Sequence, residues 1–317
     1  MIISRRHLLI GAATATGAGV LGRPVFAADF KAAAVLPGSI TDQAFNQVVY
    51  EGLMAAKKNL SIEVAFSEKV KQADQVSAMS DYARRGYNVV IGAGGEFTAA
   101  AKRVAKQFPD VLVVVMNGAV TEGVATINYN NPQFGYILGF IGGKMSKTGK
   151  AGMICGQEIK PFVDISDGFK KGWAKAGASG EVTLTYTDDW DDVAKAKEAT
   201  LNLINLGADV VVPYLDNGIV GVVQAAEEKG VWAAGVITDL GKSSPKTNVA
   251  STVLDFAAAT ATALDLAKKG ELKPGDYRFA MGSAAGYMGS INDAVPAEVK
   301  AEALAIVEQM KAGTFKM

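Results

Sequence analysis

The chain has 317 residues, 32 basic and 32 acidic side chains, 49% apolar and 20% charged residues, one Cys and one His. That balance excludes a strongly basic nucleic-acid binder, and the lone Cys155 excludes an internal disulfide framework. The length suits two units of roughly 120–150 residues rather than one small core. The half-apolar composition suits well-buried parallel sheets.

The first feature along the chain is the stretch 1–27. Arg5-Arg6 is followed by an apolar run from Leu8 to Leu21 and by Val25-Phe26-Ala27 ahead of Ala28. A basic start, an apolar stretch too short to span a bilayer and a small-residue ending read as a signal peptide cut after Ala27. The paired arginines in Ser4-Arg5-Arg6-His7-Leu8-Leu9 point to the twin-arginine route, and hence to a periplasmic protein exported already folded. Cleavage removes three arginines, no acid and the only histidine, leaving 29 basic against 32 acidic residues, a net charge of −3. Without a histidine, neither a Ser-His-Asp nor a Cys-His arrangement can be built, and the commonest zinc ligand is gone. No later apolar run is long enough to cross a membrane. The expectation is a mature protein that is not membrane-embedded, is a monomer, is not an enzyme, and has no cofactor, no metal and no nucleic-acid partner.

Strands and helices then alternate. Lys31–Leu36 reads as a strand, Asp42–Leu60 as a helix, Ile62–Phe66 as a strand, and about 71–85 as a helix. Strand Asn88–Ile91 runs into Gly92-Ala-Gly94-Gly95, followed by helix Phe97–Phe108 and strand Val111–Met116. A second series opens at Asn130-Asn131-Pro132, where an Asn cap and an early Pro start a helix. Strand Ala151–Cys155, helix Asp164–Ala176, strand Val182–Tyr186 and helix Asp191–Leu206 come next. Strand Asp209–Pro213, helix Ile219–Lys229 and strand Trp232–Val236 follow, then helix Phe256–Lys269, a strand near Tyr277–Met281 and helix Ala297–Lys311. Continuous apolar strands between amphipathic helices are the pattern of doubly wound parallel sheets. Two such series imply an α/β chain of two Rossmann-like lobes with a cleft between them. Lobe 1 is expected at 28–128 plus about 251–282, and lobe 2 at about 129–250 plus 283–317.

In open α/β sheets, ligands sit at the carboxyl ends of the strands. The segments there are polar and glycine-rich: Pro37-Gly-Ser-Ile-Thr-Asp42, Gly92-Ala-Gly94-Gly-Glu-Phe97, Asn117-Gly118, Gly156-Gln-Glu, Thr187-Asp-Asp-Trp190, Tyr214-Leu-Asp-Asn-Gly218 and Thr238-Asp239. Each alone reads better as an ordinary loop or helix cap; seven such segments together point to a binding cleft. No Arg stands at a strand end to clamp a carboxylate or phosphate. The polar groups are instead acids and amides, Asp42, Asn46, Asn117, Asp216, Asn217 and Asp239, which suit a neutral hydrogen-bonding ligand. Phe45 and Trp190 offer stacking surfaces, with Phe97, Phe162 and Tyr214 as further candidates. Gly94 lets a ligand approach backbone N–H groups.

Gly38-Ser-Ile-Thr-Asp42-Gln-Ala-Phe45-Asn46-Gln-Val-Val-Tyr-Glu-Gly52 resembles the G-x-x-x-D-x-x-F-N…G signature of the BMP, or basic membrane protein, family. Asn131-Pro-Gln-Phe-Gly-Tyr-Ile-Leu-Gly139, Lys147-Thr-Gly149-Lys-Ala-Gly152, Asp189-Trp190-Asp191-Asp192, Gly207-Ala-Asp209 and Gly230…Gly235-Val236 are similar to later family segments in the same order. The resemblance implies a type I periplasmic-binding-protein fold closing at a hinge on one small molecule, a purine nucleoside or nucleobase foremost. It also implies an ABC permease and ATPase as partners. Asp42, Phe45 and Asn46 match the first motif, and Trp190 matches the aromatic of the fifth segment. The chain departs from the family where Asn117 replaces a frequent acid, at Leu215-Asp216-Asn217-Gly218, and where Ile237-Thr-Asp239-Leu240 stands for D-x-D-Q. A periplasmic sensor for a sugar or nucleobase-like molecule is the alternative. A carboxylate hydrolase built on Asp188, Asp189, Asp191 and Asp192 is a remoter one.

Overall fold

The computed structural model describes residues 2–3, 30–42 and 45–317; apart from residues 2–3, the twin-arginine leader lies outside them. The chain forms two compact α/β units, Met1–Asn128 with Phe256–Phe279, and Tyr129–Asp255 with Ala280–Met317. It therefore passes from one unit to the other three times.

The sheet of the first unit contains β1 (Ile2–Ile3), β2 (Lys31–Val35), β3 (Glu63–Ser67), β4 (Val89–Ala93), β5 (Leu112–Met116), β6 (Val124–Tyr129) and, from the later segment, β12 (Gly275–Phe279). Its order is β1-β12-β6-β5-β4-β2-β3. The pairs β2–β3, β2–β4, β4–β5 and β5–β6 are all parallel. Every residue of β4 is buried, as expected for a strand covered on both faces. Helices α2 (Gln75–Arg84) and α3 (Thr98–Gln107) close one core with Ala33, Val35, Val90, Val113 and Val115. Helix α1 (Phe45–Leu60) packs on α8 (Phe256–Lys268), with the Phe45 and Phe256 rings edge-on at 4.9 Å. The Lys268 ammonium donates to the Leu60 carbonyl at 2.5 Å, closing the C-terminus of α1.

The second unit has β7 (Ala151–Cys155), β8 (Val182–Tyr186), β9 (Val210–Tyr214), β10 (Trp232–Ile237), β11 (Asn248–Leu254) and β13 (Gly286–Ile291), in the order β13-β11-β10-β9-β7-β8. The pairs are parallel except for β13, which runs antiparallel to β11. Strand alternation sorts the two faces. Val211 joins the core under α6 (Val193–Asn205) and α7 (Ile219–Lys229). Its neighbour Val210 lies against Gly142 of α4 (Asn131–Met145). Helix α4 is buried on nearly every side. Gly135 and Gly139 face the Ile165 and Phe169 carbonyls of α5 (Lys160–Lys175), while Gly168 and Gly172 face the Pro132 and Tyr136 carbonyls. Only hydrogen at these positions lets the two backbones meet. The last helix is α9 (Ala297–Ala312).

The elements match the sequence reading except at a few places. Strands β6, β11 and β13 were not anticipated, because Thr126, Asn128, Ser251, Thr252 and two glycines break their apolar runs. Helix α5 starts at Lys160 rather than Asp164, since Pro161 in the first turn is pre-set for helix. A 3-10 turn, Gln72–Asp74, precedes α2.

Candidate functional site

In the first unit, the loop after β2 is held by its own polar groups. Asp42 accepts hydrogen bonds from Asn46 N, Gln47 N and Asn46 Nδ2, at 3.2, 3.0 and 2.7 Å. It thus caps α1 while fixing the Asn46 amide. Asn46 Oδ1 in turn accepts from Gly38 N at 3.0 Å. Glu68, which follows β3 and was missed from the sequence, accepts from Ile40 N and Ser39 Oγ. Its segment carries no glycine-rich signal. Asp42 and Asn46 therefore order the strand-end loop, and Phe45 is half-buried against Phe256. Gly94, with φ 113°, and Asn117, with φ 56°, stand at the ends of neighbouring strands β4 and β5. Asn117 is half-buried, and its side-chain amide has no partner among the described residues. That leaves it available to a ligand.

In the second unit, the Trp190 ring lies flat over Gly156, where any Cβ would collide with it. Its main-chain oxygen accepts from Asp216 N and Gly218 N, each at 3.0 Å, tying the turn after β8 to the one after β9. Asp191 accepts from Asn217 N and Nδ2, at 3.1 and 3.0 Å. Trp190, Asp216 and Asn217 thus form one patch that bridges the ends of β8 and β9 across the end of β7, which lies between them. The rest of the acidic run is local structure. Asp189 accepts from Asp191 N and Asp192 N, and these bonds to exposed backbone hold its carboxyl below the usual range. Asp192 accepts from Lys195 N as the cap of α6. Three of the four acids considered for hydrolysis are therefore turn and cap residues.

Phe162 and Tyr214 are closed off from solvent, at 0% and 4% exposure. Their rings sit 5.8 Å apart, with Tyr186 5.8 Å from Phe162. As packed, they support the strand ends from below and present no open stacking face, a correction to the expectation; Phe97, fully buried beneath Gly92, is corrected likewise. Burial also pushes the Cys155 thiol up to about 12, against hydrogen bonds that lower it, so it stays a protonated core group.

Asp239 lies past the end of β10. One oxygen accepts from Gly241 N at 2.9 Å, and the other from Ser290 N and Oγ at 3.1 and 2.8 Å. Partial burial works to raise its pKa, but these hydrogen bonds outweigh burial and hold it below the usual carboxylate value. Its bonds join β10 to β13, so it braces the edge of the site. Just before it, Ile237 adopts φ 83°, a left-handed backbone that a β-branched residue rarely takes. Nothing in the residue type signals this, and the sequence reading missed it.

The carboxyl ends of the sheets thus carry a half-buried side chain beside a buried glycine, Asn117 with Gly94 in the first and Trp190 with Gly156 in the second. Among the described residues there is no cluster of potential metal ligands and no helix long and apolar enough to cross a membrane. Known proteins with this architecture agree. The model of the Bmp family, described as ABC transporter substrate-binding protein PnrA-like, matches residues 30–313. The chain is 30% identical over 267 residues to the transcriptional activator protein med of Bacillus subtilis, covering 84% of this chain and 83% of that one. It is 27% identical over 194 residues to a purine-binding protein of Brucella abortus, covering 61% of this chain and 55% of the relative. A solved ABC transporter solute-binding protein from Conexibacter woesei shares the fold, with a TM-score of 0.70 and 24% identity over 91% of this chain and 98% of that one. A chain of two α/β units with mainly parallel sheets, matched over almost all of its described length, belongs to the Bmp family of ABC-transporter substrate-binding proteins.

Proposed function

We propose that the protein is a periplasmic binding component that captures a small neutral ligand, a purine nucleoside or nucleobase, and delivers it to an ABC permease and its ATPase. The observation that carries this reading is the family match over residues 30–313, and the strand-end chemistry supports it. Trp190 supplies an aromatic surface, which contributes on the order of 1 kcal/mol against a flat ring beyond its buried area. Asn117 offers both a donor and an acceptor; Gly94 lies buried beneath the Glu96 carboxylate, which a ligand would displace to reach the backbone. Asp216 and Asn217 contribute from the patch around Trp190; Asp42, Phe45 and Asn46 order the loop after β2, and Asp239 the end of β10. Capture works by closure of the two lobes, which a ligand favours only through contacts specific to the closed state. The protein works outside the cytoplasm, reached by the twin-arginine leader, as a monomer and without catalysis.

The likeness to a protein named as a transcriptional activator favours one second reading, in which the same ligand is sensed and presented to a receptor. A thermal-shift screen of purines, nucleosides, pyranoses and amino acids tests the ligand class. A ligand at 100 times its Kd stabilises by about 2.7 kcal/mol, so a purine or nucleoside is expected to raise the Tm clearly. A response confined to sugars or amino acids would overturn the reading.

A further inference from the structure

Strands β7, β8 and β9 are parallel and begin at one pole of the second unit, opposite their carboxyl ends. Helices α4, α5 and α6 end at that pole, and the loops that follow them are tied together. Asp209, just before β9, accepts from Ser146 Oγ, Lys147 N and Thr148 N at 2.5, 2.6 and 3.0 Å. Trp173 of α5 donates its indole N–H to the Gly149 carbonyl at 3.1 Å, and a Cβ on Gly143 of α4 would meet that of Ala176 at 2.8 Å. Lys150 Nζ donates to the carbonyl of Leu206, the C-cap of α6, at 3.1 Å.

Two features meet on these loops. Lys144, Lys147, Lys150 and Lys175 are exposed, and none has an ion pair among the described residues. Of the two acids in the same loops, Asp209 is half-buried under its three bonds and Glu181 is exposed. In a chain with 32 basic and 32 acidic residues, that is a local excess of positive charge. Leu206 is 66% exposed, more than any other large apolar side chain among the described residues. The core beneath it is filled by Leu203 and Ala208, so packing gives Leu206 no role. The helix dipole favours Lys144 and Lys175 in the last turns of α4 and α5. It explains neither Lys147, which stands outside any helix, nor the exposed leucine.

We infer that this pole of the second unit is a docking surface for an anionic phospholipid bilayer. Lysines rest their apolar stems on such a surface and keep the ammonium groups among the headgroups, while Leu206 enters the acyl boundary between them. A fluid bilayer requires no fixed pairing geometry, which suits exposed lysines without fixed partners. The loops 144–150, 175–181 and 205–209 contain no arginine and no aromatic residue, the anchors that centre most protein interfaces. Docking here leaves the carboxyl ends of the same strands, with Trp190, turned away from the membrane. It is independent of which ligand the protein carries.

Sedimentation of the full chain with vesicles of mixed phosphatidylglycerol and phosphatidylcholine, or of phosphatidylcholine alone, tests this. The wild type is expected to bind the anionic vesicles at least tenfold tighter, and to lose most of that affinity as salt rises from about 50 to about 300 mM. Lys147→Glu combined with Lys175→Glu changes two side chains that make no bond among the described residues. The pair is expected to weaken binding at least tenfold with Tm unchanged; Lys147→Glu alone serves if the pair fails to fold. Leu206→Ser is expected to weaken binding severalfold. A solvatochromic dye on Leu206→Cys, with Cys155 buried, separates contact by this pole from contact by the leader, and is expected to shift to the blue on anionic vesicles. Binding unchanged in the folded lysine variant, or a dye that does not shift, overturns the inference. Tighter binding to soluble polyglutamate than to the vesicles also overturns it, and would assign the pole to an acidic protein. Each of these results leaves the purine reading standing.

Discussion

Two strand ends impose the same unusual backbone on very different residues. After β5, Asn117 sits at φ 56°; at the end of β10, Ile237 sits at φ 83°. Asn visits the left-handed region readily because its short polar side chain can bond locally, whereas a β-branched residue there is strained by roughly 1–3 kcal/mol. At the first position the turn and the side chain agree, and the half-buried amide is left open to a ligand. At the second they conflict, and the conflict persists because Ser251, Asp239 and Ser290 pin the segment. The end of β5 thus carries a polar amide, Asn117, whereas the second unit carries an aromatic surface, the Trp190 ring over Gly156.

The largest expected effect comes from breaking that aromatic surface. Gly156→Val drives a side chain into the Trp190 ring and is expected to weaken binding tenfold or more, about 1.4 kcal/mol per decade. Trp190→Ala should match it while leaving the circular dichroism spectrum unchanged. Wild-type affinity in both variants would remove Trp190 from the site. A smaller effect tests the end of β5. Asn117→Val imposes on β5 the strain that Ile237 already carries, and should lower unfolding stability by about 1–2 kcal/mol. Asn117→Gly should be within roughly 0.5 kcal/mol of wild type in stability yet still lose affinity. Equal denaturation midpoints for the Val and Gly variants would show that the turn imposes no strain.

The smallest effect concerns the brace. Asp239 has a folded pKa below its unfolded value of about 3.9. Its contribution to stability is therefore present above that unfolded value and is lost as pH falls through the lower folded one. The Tm of Asp239→Asn should lie below wild type at pH 7, and the gap should close below about pH 4. A gap independent of pH would mean that the carboxylate charge is not what braces β10 to β13.

Much of the fold was legible because local and global signals agree. Val182–Tyr186 and Ile219–Lys229 are where the apolar pattern puts them, and Gly230 ends α7 in the left-handed conformation that only glycine takes freely. Strands β11 and β13 were not legible, since Ser251, Thr252 and Gly289 earn their places through tertiary neighbours. The candidate site was read less completely. Segment position marks Trp190, Asn117 and Gly94 as candidates, while Asp42 and Asn46 bond each other. No sequence signal distinguishes a loop-ordering carboxylate from a ligand-facing one. Phe162 and Tyr214 were misjudged because an aromatic near a strand end is equally suited to the layer beneath it. Ile237 was invisible, since an isoleucine in a strand carries no mark of positive φ.

The most direct measurement is mass spectrometry of the small molecules released on denaturing protein purified without added ligand. A purine base or nucleoside approaching one per chain is expected, reduced in Trp190→Ala. A sugar or amino acid released at that stoichiometry from the wild type would contradict the purine reading.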